Sequence, residues 1–163
     1  MTSSKDYSQA RKRLLNDLKR FQETDDENES ILATPHEDNL FIWDCIIFGP
    51  DDTQWEGGCF KLQMTFSEKY PKEAPKVLMK TKVFHPNFYV TGAICIDILQ
   101  SMWSPIYDVH AILTSIQSLL TDPNPLSPAN TEAAKLYQED IQSYYKRVRE
   151  CVEASMKDEE EED

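Results

Sequence analysis

The sequence has no long apolar run and no apolar segment at its start. The opening residues, MTSSKDYSQARKR, lack the apolar core that a secretory signal peptide requires. No stretch approaches the length of about 20 apolar residues that a membrane-spanning helix needs. We therefore expect no signal peptide and no membrane segment, and a location in the cytoplasm, the nucleus or both.

Cysteine and histidine are both scarce. The 163 residues include three histidines and four cysteines, and no two cysteines form a C-x-x-C pair. This spacing predicts no structural zinc site. Thiols stay reduced in the cytoplasm and nucleus, so we also expect no disulfide, and nothing in the sequence calls for a metal or a cofactor.

Positive charge is in deficit, and the formal net charge is -12. This argues against direct binding of nucleic acid, because contact with a phosphate backbone needs clustered cations. The charge is unevenly distributed along the chain. Residues 5–20 carry six basic side chains and two acidic ones, whereas residues 157–163 read KDEEEED.

The hydrophobic pattern changes twice along the chain. Residues 7–22 place Ala10, Leu14, Leu18 and Phe21 on one face of a helix, with Leu15 beside them. Strand patterns follow in NLFIWDCIIFGP, CFKLQMTF and KVLMKTKVF. Helical spacing returns in DVHAILTSIQSLL, where we expect Asp108 to be the N-cap, and in TEAAKLYQED and IQSYYKRVRECVEASM.

These patterns predict a single α+β domain. The chain is long enough for one core, and 40% of its residues are hydrophobic. We expect an N-terminal helix, a four-stranded antiparallel meander, an irregular segment and three C-terminal helices. Residues 157–163 cannot bury apolar surface, so we expect them to form a disordered acidic tail.

The irregular segment runs from residue 84 to residue 104 and contains Cys95. Loops of this length inside a domain are more often functional than structural. Cys45, Cys59 and Cys151 lie in predicted strands or helices, where cysteine packs as a small apolar side chain. Cys95 follows a Thr-Gly turn instead, and its local context leaves a packing role and a reactive role equally open.

A reactive Cys95 is compatible with two chemistries. A cysteine hydrolase needs a histidine base oriented by a third group, and the sequence singles out none of His36, His85 and His110. Acyl transfer through a thioester needs instead an oxyanion donor and a means of positioning an amine. Asn87 and Ser127 are candidates for donor and gate, although each taken singly is better explained as a turn residue.

Several segments together resemble the ubiquitin-conjugating enzymes. HPNFYVTGAICIDIL, the following WSP and SLLTDPNPLSPAN are similar to the active-site region of that family, and YPKEAPKV is similar to its Tyr-Pro-x-x-x-Pro segment. The resemblance covers about residues 10–156. We expect the catalytic domain to comprise residues 5–156, with the predicted acidic tail after it. The short spacing from the cysteine to WSP, together with the acidic tail, is most similar to the DNA-repair and histone-directed branch.

The resemblance implies a role for each residue of the active-site region. Cys95 matches the cysteine that receives ubiquitin from the activating enzyme as a thioester and passes it to a substrate lysine. Asn87 matches the asparagine that stabilises the oxyanion or holds the active-site loop. Ser127 matches a gate position where other members carry aspartate, and serine cannot attract the lysine by charge. The family needs no metal or cofactor, because the activating enzyme consumes the ATP.

The resemblance also implies partner surfaces for ubiquitin, the activating enzyme and a ligase, which we expect to be of the RING type. The region docked by the activating enzyme matches Arg11, Lys12 and Arg13 of the first helix. The loops that ligases grip match Lys72, where many members are apolar, and Ser104, Pro105 and Ile106. The acidic tail is either a solvated end or an attraction for basic substrates such as histones. Two rivals from other classes remain: an inactive binding module of the same fold, against which Cys95 and Asn87 argue, and a cysteine hydrolase, which the missing histidine partner disfavours.

Overall fold

The computed structural model describes the backbone of residues 4–24 and 29–162, and their side chains up to residue 158, and it begins with helix α1 (Ser4–Glu23). The buried stripe of α1 consists of Ala10, Leu14 and Asp17. Leu15 is 46% exposed, although the sequence pattern places it next to the apolar face. The stripe follows the spacing i, i+4, i+7, and a carboxylate occupies its third position.

The sheet consists of β1 (Ile31–His36), β2 (Asn39–Phe48), β3 (Cys59–Thr65) and β4 (Lys76–Met79). The strands lie in this order, and each pair of neighbours is antiparallel, which confirms the predicted meander. Strand β1 shows little strand signal in the sequence because it is short and contains a proline. Pro35 is tolerated there because β1 is an edge strand, where a missing N–H costs no ladder bond.

Three helices follow the sheet, as predicted: α2 (Val109–Thr121), α3 (Thr131–Glu139) and α4 (Ile141–Glu162). Asp108 caps α2, since its side chain accepts a 2.9 Å hydrogen bond from the N–H of Ala111. The inward face of α2 packs in the core between sheet and helices with the residues that the pattern predicts, Val109, Ile112, Leu113, Ile116 and Leu120. Among the described helices, none has the length and apolarity to cross a membrane.

The C-terminal end of α4 differs from the expected disordered tail. The backbone continues as a helix through residues 157–162, and Asp163 lies outside the described residues. Lysine and glutamate have high helix propensity, and extending an existing helix avoids the cost of nucleation. An acidic stretch that buries no apolar side chain can therefore still be helical. The boundary between a catalytic domain and a tail at residue 157 stays a prediction.

Candidate active site

A tight turn anchors the irregular segment to β4 just before Cys95. The N–H of Met79 donates a 2.8 Å hydrogen bond to the carbonyl of Gly92, and single bridges join Leu78 to Ala93 and Phe88 to Ile94. Gly92 has a φ of +95°, and a Cβ at this position would lie 2.3 Å from the carbonyl oxygen of Met79. Only glycine fits this turn, and its rigidity fixes the start of the segment that carries Cys95.

Cys95 differs from the other three cysteines in exposure. Cys45, Cys59 and Cys151 are buried, whereas Cys95 is half-buried, and all four thiols are free. Burial raises the pKa of Cys45 to about 12 and also raises the pKa of Cys151, so both remain protonated near neutral pH. An incoming acyl group can therefore reach only the thiol of Cys95 without rearrangement of the core.

The contacts of Cys95 come from two different segments. Its N–H donates a 2.8 Å hydrogen bond to the carbonyl of Asn87. Its Sγ lies 3.8 Å from the carbonyl oxygen of Ser127, within reach of a weak S–H···O hydrogen bond. The structure thus brings together the three residues for which the sequence analysis predicts catalytic roles.

Asn87 is buried, and both polar atoms of its side chain are engaged. Its Nδ2 donates to the carbonyl of Asn124 at 2.8 Å, and its Oδ1 accepts from the N–H of Asn124 at 2.8 Å. These two bonds hold residues 123–130, which we call the Ser127 loop. Among the contacts of the described residues, the second N–H on Nδ2 has no hydrogen-bond partner.

The residues just before Asn87 also hold the Ser127 loop in place. The carbonyl of Pro86 accepts hydrogen bonds from the N–H groups of Ala129 at 2.7 Å and Asn130 at 3.0 Å. Ser127 lies between these anchors and Asn124, and its side chain is exposed. The loop is therefore fixed at both ends, while the residue at the predicted gate position faces solvent.

His85 is buried and cannot act as a base for Cys95. Its Nδ1 accepts a 2.9 Å hydrogen bond from the N–H of Asn87, and its Nε2 lies 2.7 Å from the carbonyl of Leu119. The second contact requires the proton on Nε2, so both nitrogens are engaged by the backbone. Burial lowers the pKa of His85 to about 4, which leaves the ring neutral at physiological pH.

The other two histidines are engaged elsewhere. Nε2 of His36 lies 2.8 Å from the carboxylate of Asp44 at the edge of the sheet. His110 packs against Phe21 of α1, with ring centroids 5.9 Å apart. Within the described part of the chain, no histidine is hydrogen-bonded to Cys95. The site therefore lacks the base that a cysteine hydrolase requires.

A second polar cluster joins α1 to residues 103–107, which we call the Trp103 loop. The guanidinium of Arg13 donates to Asp17 at 2.7 Å and to the carbonyls of Pro105 at 2.7 Å and Tyr107 at 2.8 Å. The hydroxyl of Tyr70 donates to the other carboxylate oxygen of Asp17. Burial raises the pKa of Tyr70, so its hydroxyl stays protonated as a donor.

This cluster separates Arg13 from the other predicted partner-binding residues. Arg11 and Lys12 are exposed on α1, whereas Arg13 is turned inward and donates one hydrogen bond from each of its three guanidinium nitrogens. The two predicted ligase loops lie together, because Nε1 of Trp103 donates a 2.9 Å hydrogen bond to the carbonyl of Pro71, next to Lys72. The exposed residues at this junction are Lys72, Pro105 and Ile106, and Ser104 is half-buried beside them.

Sequence reasoning missed the residues that hold these loops. Asn124, Asp17 and Tyr70 are not predicted to have a role, although each makes a hydrogen bond that positions a loop. A signal existed for Asp17, because an aspartate three residues after the buried Leu14 falls on the apolar face of the helix. No such signal marks Asn124 within PNPLSPAN, which simply has the composition of a turn.

Comparison with known proteins adds independent information about the chain. A family model described as "Ubiquitin-conjugating enzyme" matches residues 13–152. The chain is 55% identical over 149 residues to "Ubiquitin-conjugating enzyme E2 2" of Mycosarcoma maydis, covering 91% of this chain and 80% of that protein. It is 53% identical over 146 residues to "Ubiquitin-conjugating enzyme E2 3" of Arabidopsis thaliana, covering 90% of this chain and 96% of that protein.

Proposed function

Because the chain belongs to the ubiquitin-conjugating enzyme family, we propose that Cys95 is the residue that carries ubiquitin. Enzymes of this family transfer ubiquitin through a cysteine thioester. The observation that carries the assignment is the exposure of Cys95 in an anchored segment, against the Ser127 loop, while the other three cysteines are buried.

The first step forms the thioester. The Cys95 thiolate attacks the activated C-terminal carbonyl of ubiquitin on the activating enzyme, a C–S bond forms, and the group that held ubiquitin there leaves. In the second step a substrate lysine attacks the same carbonyl as a neutral amine. The C–N bond forms, the C–S bond breaks with its electron pair returning to Cys95, and the amine loses a proton to solvent.

Asn87 serves this reaction in two ways. Its two hydrogen bonds to Asn124 position the Ser127 loop beside the thiol, and its remaining Nδ2–H can donate to the oxyanion. The neutral surroundings of the thiol support the thioester as well. A strong base next to Cys95 would activate water and hydrolyse the intermediate, and His85, the buried histidine of the site, is neutral.

Ser127 is the gate to the site in this proposal. Its exposed position in the loop that touches Cys95 supports the role. A serine hydroxyl carries no charge, so it does not attract the lysine ammonium as an aspartate would. Approach of the lysine then depends more on a ligase or on contacts with the substrate itself.

Membership of the family implies ubiquitin, an activating enzyme and a ligase as partners. We assign the activating enzyme to the exposed Arg11 and Lys12 of α1, and a ligase of the RING type to the surface of Lys72, Ser104, Pro105 and Ile106. The exposure of Ile106, at 79%, supports this second surface, because a protruding apolar side chain is suited to bury against a partner.

The acidic end of α4 suggests a narrower function in the DNA-repair and histone-directed branch, in the nucleus. Six of the seven residues 157–163 are acidic, and such a segment attracts basic proteins such as histones. Deleting residues 157–163 should slow ubiquitination of histones at low salt and have little effect at high salt, where the attraction is screened. An equal rate for both forms at low salt would contradict the role.

A charging assay tests the role of Cys95. Incubated with activating enzyme, ATP and ubiquitin, the native protein should form an adduct that thiol reductant removes. Cys95→Ala should form no adduct, and Cys95→Ser should form an oxyester that resists reductant. Cys151→Ala is the matched control and should charge normally, because that cysteine is buried. An undiminished adduct in Cys95→Ala would refute the proposal, and related modifiers tested in parallel would show whether ubiquitin is preferred.

A further inference from the structure

A groove of about 760 Å³ is walled by residues that flank, in the chain, the segments carrying Cys95 and Ser127. It is lined by residues 79–84, 88–92 and 129–132, together with Arg147 of α4. Its floor is apolar and buried, since Met79, Phe84 and Phe88 are each at most 6% exposed. Its rim carries two exposed side chains, Tyr89 at 46% and Val90 at 102%. Val90 is fully exposed, so packing within the fold does not explain why an apolar residue occupies this position.

The walls of the groove are continuous with the segments that position Cys95. Residues 88–92 lead directly into Cys95 through the turn at Gly92. Residues 129–132 follow Ser127 and are tied to Pro86 by the N–H groups of Ala129 and Asn130. A polypeptide that presents a lysine to Cys95 from this side would therefore lay its neighbouring residues in the groove.

The groove is positively charged in a protein whose net charge is -12. Lys80, Lys82 and Arg147 line it, and the one acidic residue of the lining is Glu132. Glu132 is paired with Arg147 at 2.7 Å, and the same guanidinium lies 4.1 Å from the ring centroid of Phe84. Among the described residues, neither Lys80 nor Lys82 forms an ion pair. Two exposed ammonium groups therefore face whatever enters.

We propose that this groove binds the acceptor segment of the substrate and favours lysines that have aspartate or glutamate nearby in the sequence. Lys80 and Lys82 are then residues that determine specificity, and the apolar rim contacts the stems of the bound side chains. The inference rests on the proposed role of Cys95.

Helix α4 places the enzyme's own acidic end at a distance from the groove. The first acidic residue of that end is Asp158, eleven residues beyond Arg147 on a continuous helix. This corresponds to roughly 17 Å along the helix axis. The groove and the acidic end carry opposite charge, so they would contact different parts of one substrate.

Discharge of the isolated thioester tests the inference. The acceptors are free lysine and two peptides that differ only in the residues flanking one lysine, aspartate and glutamate in the first and arginine in the second. At low salt the acidic peptide should react about threefold to tenfold faster than the basic one, which is the range expected for two solvent-exposed charge pairs. The preference should shrink as salt is raised.

Charge reversal gives the decisive comparison. The double variant Lys80→Glu and Lys82→Glu should still form the thioester and should invert the order of the two peptides. Lys76→Glu is the matched control, because Lys76 is exposed on β4 outside the groove and its reversal should preserve the acidic preference.

Two outcomes would overturn the inference alone while the thioester forms and reacts with free lysine. One is an equal rate for both peptides in the native enzyme, and the other is an acidic preference that survives in the double variant. Failure to form any thioester would overturn the role of Cys95 and this inference with it.

Discussion

The Ser127 loop and the Trp103 loop are both held by polar side chains in or beside the core, but neutral groups hold the first and an ion pair holds the second. Asn87 and His85 are uncharged and bind backbone groups around the thiol. Arg13 and Asp17 form an ion pair, and Arg13 extends from it to the carbonyls of the Trp103 loop. In both regions, the side chains form hydrogen bonds with backbone groups of the loops that have no partner in a helix or a strand.

The difference follows from what each loop adjoins. A charged base beside Cys95 would activate water against the thioester, so neutral donors suit that region. Among the described residues, the Trp103 loop makes no hydrogen bond to Cys95, and there an arginine serves three acceptors with one planar guanidinium. The two clusters should therefore respond differently to substitution and to pH.

The largest effect is expected at Asn87. Asn87→Ala removes both bonds to Asn124 and the remaining donor, so discharge to lysine should fall on the order of 100-fold. Charging should fall less, because the activated ubiquitin arrives already positioned by the activating enzyme. Single-turnover rates for the two steps measure this. A wild-type rate of discharge in Asn87→Ala would contradict both roles of Asn87, the positioning of the Ser127 loop and the donation to the oxyanion.

The ion pair of the second cluster should be the next most sensitive feature. Arg13→Ala leaves Asp17, whose side chain is 1% exposed, buried without its counter-ion, and we expect a loss of about 3 kcal/mol in the free energy of unfolding. Arg11→Ala is the matched control on the exposed face, with an expected change within about 0.5 kcal/mol. Urea unfolding measures both.

Arg13→Ala and Arg11→Ala should also affect different steps of the reaction. Arg13→Ala should weaken stimulation by a ligase, because the Trp103 loop loses two donors, and leave discharge to free lysine unchanged. Arg11→Ala should instead slow charging by the activating enzyme. Equal stability of the two variants would contradict the inward role of Arg13.

A smaller effect is expected from pH, because His85, one of the neutral groups around the thiol, becomes protonated when the protein unfolds in acid. Burial lowers the pKa of His85 to about 4, against about 6.5 in the unfolded chain, so below pH 6.5 the unfolded state binds a proton that the folded state does not. This stability is fully present above pH 6.5 and is lost as pH falls toward 4. The loss should be about 2 kcal/mol between pH 7 and pH 5.

Urea unfolding at several pH values, for the native protein and His85→Gln, checks this. The variant should be less stable at pH 7 but should lose less stability on acidification. If the two proteins lose stability in parallel, protonation of His85 is not the cause.

Much of the fold was predictable because its signals are local. The apolar spacing of α2 predicts all five of its buried residues, and Asp108 caps the helix as expected. Strand β1 was harder, because an edge strand with a proline is stabilised by pairing with β2 rather than by its own pattern. The acidic end of α4 is less predictable: the lack of apolar side chains to bury favours disorder, helix propensity favours the helical backbone that extends to residue 162, and the disordered tail stays a prediction.

The sequence by itself determined the family and the glycine turn before Cys95, because the Gly92 turn, the His-Pro-Asn segment and the spacing to WSP are encoded within about twenty residues of Cys95. Only the tertiary structure decided which polar side chains hold the site. Asn87 meets Asn124 across 37 positions, and Arg13 meets Pro105 across 92. Whether a polar side chain faces solvent or a distant carbonyl depends on how the elements pack, and no local pattern records that.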